Sequence, residues 1–140
     1  MAKEDVLIGL IEVPKKQAQL LLEAANLFME FGRFKESEAV FKGCMSLLPR
    51  SANPRIGIGN LYLIQDRFEE SIAAFQEAIK LRPDFADTYA YLGEVYLFNK
   101  EFSKAEEALQ KAQELDTNEE KFVTDLARGL LSLYKEGVFN

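Results

Sequence analysis

Histidine is absent from this sequence of 140 residues, and cysteine occurs once, as Cys44. The lack of histidine removes the commonest general base and the commonest metal ligand. A single cysteine cannot form an internal disulfide, which favours a reducing compartment and hence the cytoplasm. No nucleophile paired with a base replaces these residues. We therefore expect no enzyme, no metal site and no cofactor.

Long apolar runs and a cleavable N-terminal signal are also lacking. No apolar stretch approaches the roughly 20 residues needed to cross a bilayer, and acids precede the short apolar run near the N-terminus. The formal net charge of −6 disfavours nucleic acid as a partner. The acidic excess lies in residues 84–120, which hold ten acids and three bases. The simpler interpretation is a solvated helix face, and the alternative is a field that attracts a basic partner.

A pattern with a period of 34 residues dominates the chain: Gly59 recurs as Gly93, and Tyr62 recurs as Tyr96. Apolar residues follow one another at spacings of three and four, and the four prolines fall between the periodic segments. A fixed period of this length indicates stacked helical units. We predict an all-α protein, with helices at about 3–13, 18–31, 35–48, 53–65, 69–81, 87–99, 103–115 and 119–136.

The sequence resembles the tetratricopeptide repeat, whose first helix carries Leu-Gly and then Tyr. The pairs Ile58-Gly59 and Leu92-Gly93 stand at the Leu-Gly positions, with Ala24-Ala25 as a looser match. The resemblance implies a right-handed superhelix of three helix-turn-helix repeats at 18–51, 52–85 and 86–119. A helical segment at 1–17 precedes them, and a capping helix at 120–140 follows them.

Small residues inside the predicted helices indicate where neighbouring helices pass closely. Glycine inside a helix costs about 1 kcal/mol relative to alanine, so Gly59 and Gly93 are expected at close helix contacts. Cys44 falls in the repeat position of Ala78 and Ala112, and we expect it to be packed rather than reactive. Thr117 or Asn118 is expected to cap the closing helix.

The resemblance also implies a concave groove lined by the first helix of each repeat, where a partner binds. Its apolar side chains need a cover if they are exposed, and a helix or an extended peptide in a groove is a recurring solution. The alternative is that some of them fill the inner wall of a tight superhelix. The predicted partner-binding residues are Leu22, Asn26, Met29, Ile56, Asn60, Leu63, Ile64, Ala90, Glu94, Leu97, Phe98, Arg128 and Leu131.

Three such repeats in a small acidic chain, with a helix at each end, are similar to the chaperones of bacterial type III secretion. That resemblance implies a non-enzymatic chaperone that holds an apolar or helical segment of a secreted protein. The alternative is a general adaptor that assembles a multiprotein complex through the same groove. The expected partner is a protein or peptide, with neither nucleic acid nor membrane insertion.

Two further expectations concern particular residues. Repeats that grip the C-terminal carboxylate of heat-shock chaperones need basic residues in the groove, and Leu22, Asp87 and Tyr91 stand where those bases are required. We therefore expect a different ligand. The apolar segment DVLIGLIEV before Pro14 is expected to cap the stack, or to detach and serve a partner or a second copy of the chain in a homodimer.

Overall fold

The computed structural model describes residues 15–140, so the helix predicted at 3–13 lies outside the described residues. Over 15–140 the chain is helical and contains no strand, which confirms the all-α prediction. Seven helices follow one another in this range: α1 (Lys15–Glu30), α2 (Phe34–Leu47), α3 (Asn53–Ile64), α4 (Phe68–Leu81), α5 (Ala86–Phe98), α6 (Phe102–Leu115) and α7 (Phe122–Lys135).

Three helical hairpins are built from these helices: hairpin 1 is α1–α2, hairpin 2 is α3–α4 and hairpin 3 is α5–α6. The same turn closes each of them, with a residue of positive φ after the first helix: Gly32 at 75°, Asp66 at 57° and Lys100 at 60°. The next amide, that of Arg67 in hairpin 2, donates to the Tyr62 carbonyl five residues back at 2.8 Å. This is a Schellman ending, which satisfies carbonyls that the helix itself leaves open.

The first helices form an inner layer of the stack. In addition to the contacts within each hairpin, α1 contacts α3, α3 contacts α5, and α5 contacts α7. Each second helix packs against the first helix that follows it, and the second helices do not pack extensively on one another within residues 15–140. Because the first helices are close together while the second helices are apart, the stack curves with α1, α3, α5 and α7 on its inner side.

Glycines mark the closest helix contacts inside the hairpins. A Cβ added to Gly59 would lie 2.7 Å from the ring of Phe75, and one added to Gly93 would lie 2.5 Å from Leu109. A third glycine, Gly57, marks a close contact between hairpins 1 and 2 that the repeat pattern does not predict, since an added Cβ would lie 2.2 Å from the Phe41 ring. These contacts explain why glycine is tolerated inside α3 and α5 despite its low helix propensity.

A buried serine hydroxyl ties the two helices together in hairpins 1 and 2. Ser37 donates to the carbonyl of Ala25 at 2.7 Å, and Ser71 donates to the carbonyl of Gly59 at 2.8 Å. Hairpin 3 has Ala105 at the corresponding position. The three hairpins therefore share their backbone geometry but differ in how polar their internal contacts are.

The junction between hairpins 1 and 2 contains a polar cluster on its outer side. The Glu38 carboxylate accepts from the Arg67 guanidinium at 2.9 Å, from the Lys42 ammonium at 2.8 Å and from the Tyr62 hydroxyl at 3.1 Å. Arg67 also lies over the Tyr62 ring, 4.3 Å from its centroid, and pairs with Glu70 at 2.6 Å. These partners hold the pKa of Glu38 down, at about 2.

The junction between hairpins 2 and 3 has no ion pair between the described residues of the two hairpins and only weaker polar contacts. Gln76 donates to the Tyr96 hydroxyl at 3.4 Å, and Asn99 donates to the Glu69 carboxylate at 3.2 Å. Ile72, Gln76 and Glu101 occupy the positions of Glu38, Lys42 and Arg67. Ile72 is buried in the main hydrophobic cluster, together with Phe75 of hairpin 2 and Leu109 of hairpin 3. A second cluster, centred on Phe41, serves hairpins 1 and 2.

The start of the closing helix differs from the prediction. We expected a helix from residue 119, but α7 begins at Phe122 because Lys121 has a left-handed φ of 54°. The cap expected from Thr117 or Asn118 is instead Asp116, whose carboxylate accepts from the Thr124 amide at 2.9 Å and the Thr124 hydroxyl at 2.7 Å. Asn118 accepts from the Glu120 amide within the preceding turn.

Candidate partner-binding groove

Most of the predicted groove residues lie on the inner helices with accessible surface. Ile64 and Phe98 are exposed to 56% and 48%, and Asn26 and Arg128 are also exposed. The others that keep accessible surface are half-buried: Leu22, Met29, Ile56, Asn60, Leu63, Glu94 and Leu131.

Two of the predicted residues cannot contact a partner. Ala90 is 1% exposed, and Leu97 has no exposed surface. Leu97 belongs to the hydrophobic cluster that joins hairpins 2 and 3, whereas Ala90 packs in a smaller cluster beneath α7. The prediction was wrong for these two positions because α7 and the chain after it cover this part of α5.

The half-buried apolar residues are shared between the core and the groove. Leu22 and Met29 pack against the cluster around Phe41, and Ile56, Leu63 and Leu131 pack against the main cluster. Each therefore supports the stack with one side and leaves the other side accessible. The alternative that such residues fill the inner wall holds in part, and it holds completely for Leu97.

A row of aromatic rings continues from this surface toward the C-terminus. Phe68 and Phe98 are stacked with centroids 6.4 Å apart, and Phe139 meets Phe98 edge-on at 5.3 Å. The chain reaches this position because Gly137, with φ of 83°, ends α7 in the same type of turn as the hairpins. Sequence reasoning missed Phe139, since nothing in the repeat pattern predicts where the residues after α7 fold.

The polar groove residues change character along the stack. Asn26, Asn60, Glu94 and Arg128 are spaced 34 residues apart and occupy the same position of α1, α3, α5 and α7. Burial raises the pKa of the Glu94 carboxyl above its usual range. Burial also raises the pKa of the nearby Tyr91, and the charges of Asp87 and Glu94 add to that shift. The groove is thus amide-lined at hairpins 1 and 2 and acidic at hairpin 3.

A separate cleft of about 650 Å³ lies between α5 and α6. None of the predicted groove residues lines it, and its charged side chains are of both signs. Its lining includes Tyr89, Leu92, Tyr96, Lys104, Glu107 and Lys111. It gives no reason to move the candidate site away from the inner helices.

The remaining chemistry of the chain is limited. Within residues 15–140, no group of three or more histidine, cysteine or carboxylate side chains could hold a metal ion. Cys44 is buried, as predicted, and burial raises the pKa of its thiol, so it is a packing residue. None of the helices in the described part of the chain combines the length and the apolar character that crossing a membrane requires.

Comparisons with known proteins agree with this geometry. A family model described as "TPR repeat" matches residues 59–100, and one described as "Tetratricopeptide repeat" matches residues 86–119. This chain therefore carries tetratricopeptide repeats within residues 59–119, as the sequence resemblance implied. Such repeats indicate a protein-binding module. A search of curated proteins finds no match.

Solved structures share the fold at low sequence identity. The type III secretion translocator chaperone SycD of Yersinia enterocolitica matches with a TM-score of 0.80 and 18% identity, covering 91% of this chain and 96% of SycD. Its alternative dimer matches with a TM-score of 0.76 and 21% identity, covering 89% and 98%. The second repeat domain of Spaghetti (RPAP3), bound to the HSP90 peptide SRMEEVD, matches with a TM-score of 0.67 and 19% identity, covering 73% and 94%.

Proposed function

We propose that this protein is a non-enzymatic cytoplasmic chaperone that holds an apolar or helical segment of a secreted protein in the groove of its inner helices, as in type III secretion. The observation that carries the proposal is the set of apolar groove residues that keep accessible surface after packing, from Leu22 and Met29 to Ile64 and Phe98. Soluble monomers seldom expose such surface without a use for it. The fold shared with SycD supports the same class of function.

The second candidate function is a general adaptor that uses the same groove to assemble a complex. The fold shared with the peptide-bound RPAP3 domain favours a peptide ligand of some kind. We do not extend the HSP90 peptide to this chain, because Leu22, Asp87 and Tyr91 replace the bases that would hold its carboxylate. A chaperone client should aggregate when the chain is removed, whereas an adaptor's partner should stay soluble alone.

The test is co-purification of the tagged chain with its partner from the native host. Leu63→Glu places a charge among the accessible apolar residues of α3, and we expect the partner to be lost while the far-UV circular dichroism is nearly unchanged. The matched control is Leu133→Glu, which changes an exposed leucine of α7 outside the groove. Ile64→Glu, at a groove residue exposed to 56%, is a second variant that leaves the core untouched and should also lose the partner. Retention of the partner by this folded variant, equal to that of the control, would contradict the proposal.

We also propose that a second copy of the chain pairs through the N-terminal end of the stack. Leu20 and Leu27 of α1 are exposed to 59% and 52%. The residues that correspond to Leu27 in hairpins 2 and 3, Leu61 and Val95, have no exposed surface and pack against the preceding hairpin. The face therefore has the shape of a stacking surface, and no helix within residues 15–140 covers it.

Sedimentation at increasing protein concentration tests this pairing. The wild-type chain is expected to form dimers, and Leu27→Lys is expected to shift it to monomers. A chain that stays monomeric at every concentration would overturn the dimer without affecting the groove.

A further inference from the structure

The chemistry of the partner can be narrowed from one residue of the groove. Glu94 of α5 is half-buried among the inner helices. Asn60 precedes it in the corresponding position of α3, and Arg128 follows it in α7. At this repeat position the side chain is therefore a neutral amide in hairpin 2 and a carboxylate in hairpin 3.

Glu94 makes no hydrogen bond and no salt bridge with any other side chain of residues 15–140. The nearest candidate in the repeat pattern, Arg128, instead approaches the Asp125 carboxylate, at 3.8 Å, and is otherwise exposed. Asp87 adds a second negative charge near the Tyr91 hydroxyl that Glu94 also influences. A carboxylate that is partly removed from water without a cation is unfavourable, and a partner that supplies the cation would relieve this cost.

The charges around Glu94 determine which sign of charge the bound segment of the partner should carry. Residues 84–120, which form hairpin 3 and the turns on either side of it, hold ten acids and three bases. An acidic segment would be repelled there, while a basic side chain would be attracted and then paired. Toward hairpins 1 and 2 the groove offers apolar side chains such as Met29, Ile56 and Leu63 instead.

We propose that the segment bound by this groove carries a lysine or arginine that pairs with Glu94, next to apolar side chains that lie on hairpins 1 and 2. This inference rests on the proposed function and specifies the partner's chemistry. Glu94 acts as a specificity residue: it rejects apolar segments that lack a base and orients those that carry one at one end.

Selection from a phage-displayed library of random 16-residue peptides tests the proposal without knowledge of the natural partner. The immobilised proteins are the wild-type chain, Glu94→Gln and the control Glu106→Gln, which changes an exposed carboxylate of α6. Peptides selected by the wild type and the control should be apolar and enriched in lysine or arginine. Peptides selected by Glu94→Gln should be equally apolar without that enrichment.

A double-mutant cycle on one selected peptide measures the coupling energy between the basic residue of the peptide and Glu94. Replacing its base by glutamine, or Glu94 by glutamine, should each weaken binding by about tenfold, and the two changes together should cost little more than one. Additive losses, or basic enrichment that persists with Glu94→Gln, would overturn the pairing and leave the groove intact. Recovery of no apolar peptide by any of the proteins would overturn the proposed function and this inference with it.

Discussion

The two junctions between hairpins solve the same packing problem with different chemistry. Between hairpins 1 and 2, Glu38 and Arg67 form a charged cluster around the Tyr62 ring. Between hairpins 2 and 3, Ile72 takes the place of Glu38 and enters a large apolar cluster. The shared turns and glycine contacts fix the geometry of the stack, so its outer positions can hold an ion-pair cluster in one junction and a buried isoleucine with weaker hydrogen bonds in the next.

The largest effect is expected from Phe75→Ala in the apolar junction. Phe75 has no exposed surface and packs against Gly59 and Tyr91. Its truncation should lower the free energy of unfolding by about 3–5 kcal/mol, through lost burial and the cavity left behind. Urea denaturation followed by circular dichroism measures this. The control Phe122→Ala, at a ring exposed to 71%, should change little, and a comparable loss in both would contradict the assigned core.

A smaller and pH-dependent effect is expected at the polar junction. Glu38→Gln should lower the free energy of unfolding at pH 7 by about 1–2 kcal/mol. This is less than the pKa shift alone would give, because solvent near the cluster screens its ion pairs. Because the pKa of Glu38 is lowered to about 2 in the folded chain, its contribution is complete above the unfolded pKa of about 4.3 and is lost as pH falls toward 2. The difference between wild type and variant should therefore narrow between pH 5 and pH 2.5; a constant difference would show that the charge contributes nothing.

Substitutions at the buried serine position allow the stability of hairpins 2 and 3 to be compared. Ser71→Ala leaves the Gly59 carbonyl without the hydroxyl that lies 2.8 Å away, and should cost about 1 kcal/mol. Ala105→Ser introduces a hydroxyl at the corresponding position of hairpin 3 and should cost less, since the new group can donate to the Gly93 carbonyl. Thermal unfolding of the two variants measures both effects. A larger loss for Ala105→Ser would mean that hairpin 3 is packed too tightly for the extra oxygen.

The smallest effect is a gain in stability at the hairpin turns. Asp66 and Lys100 adopt left-handed conformations that glycine takes without strain, as Gly32 does in hairpin 1. Asp66→Gly should raise the free energy of unfolding by about 0.5 kcal/mol, because relief of strain slightly exceeds the added entropy of the unfolded chain. A decrease of that size in the same urea experiment would mean that the Asp66 side chain stabilises the turn.

The sequence predicted the hairpins well because each depends on local signals that repeat: the glycine contacts, the prolines and the residues of the turns. It failed where packing between distant segments decides the outcome. Leu97 has the repeat position of a groove residue, yet α7 and the residues after it bury it. The later start of α7 depends on Asp116 reaching Thr124, and the position of Phe139 depends on a turn at Gly137 outside the repeat. No spacing rule encodes these contacts.

The most direct test of the central claim is the reactivity of a cysteine placed in the groove at Asn60→Cys. Cys44 is the only native cysteine and is buried, so the new thiol reports alone, and Glu77→Cys on the exposed side of α4 is its control. The account predicts that alkylation of Cys at position 60 slows at least tenfold when the chain is purified with its native partner, with no change at position 77. Equal labelling at position 60 with and without the partner would contradict it.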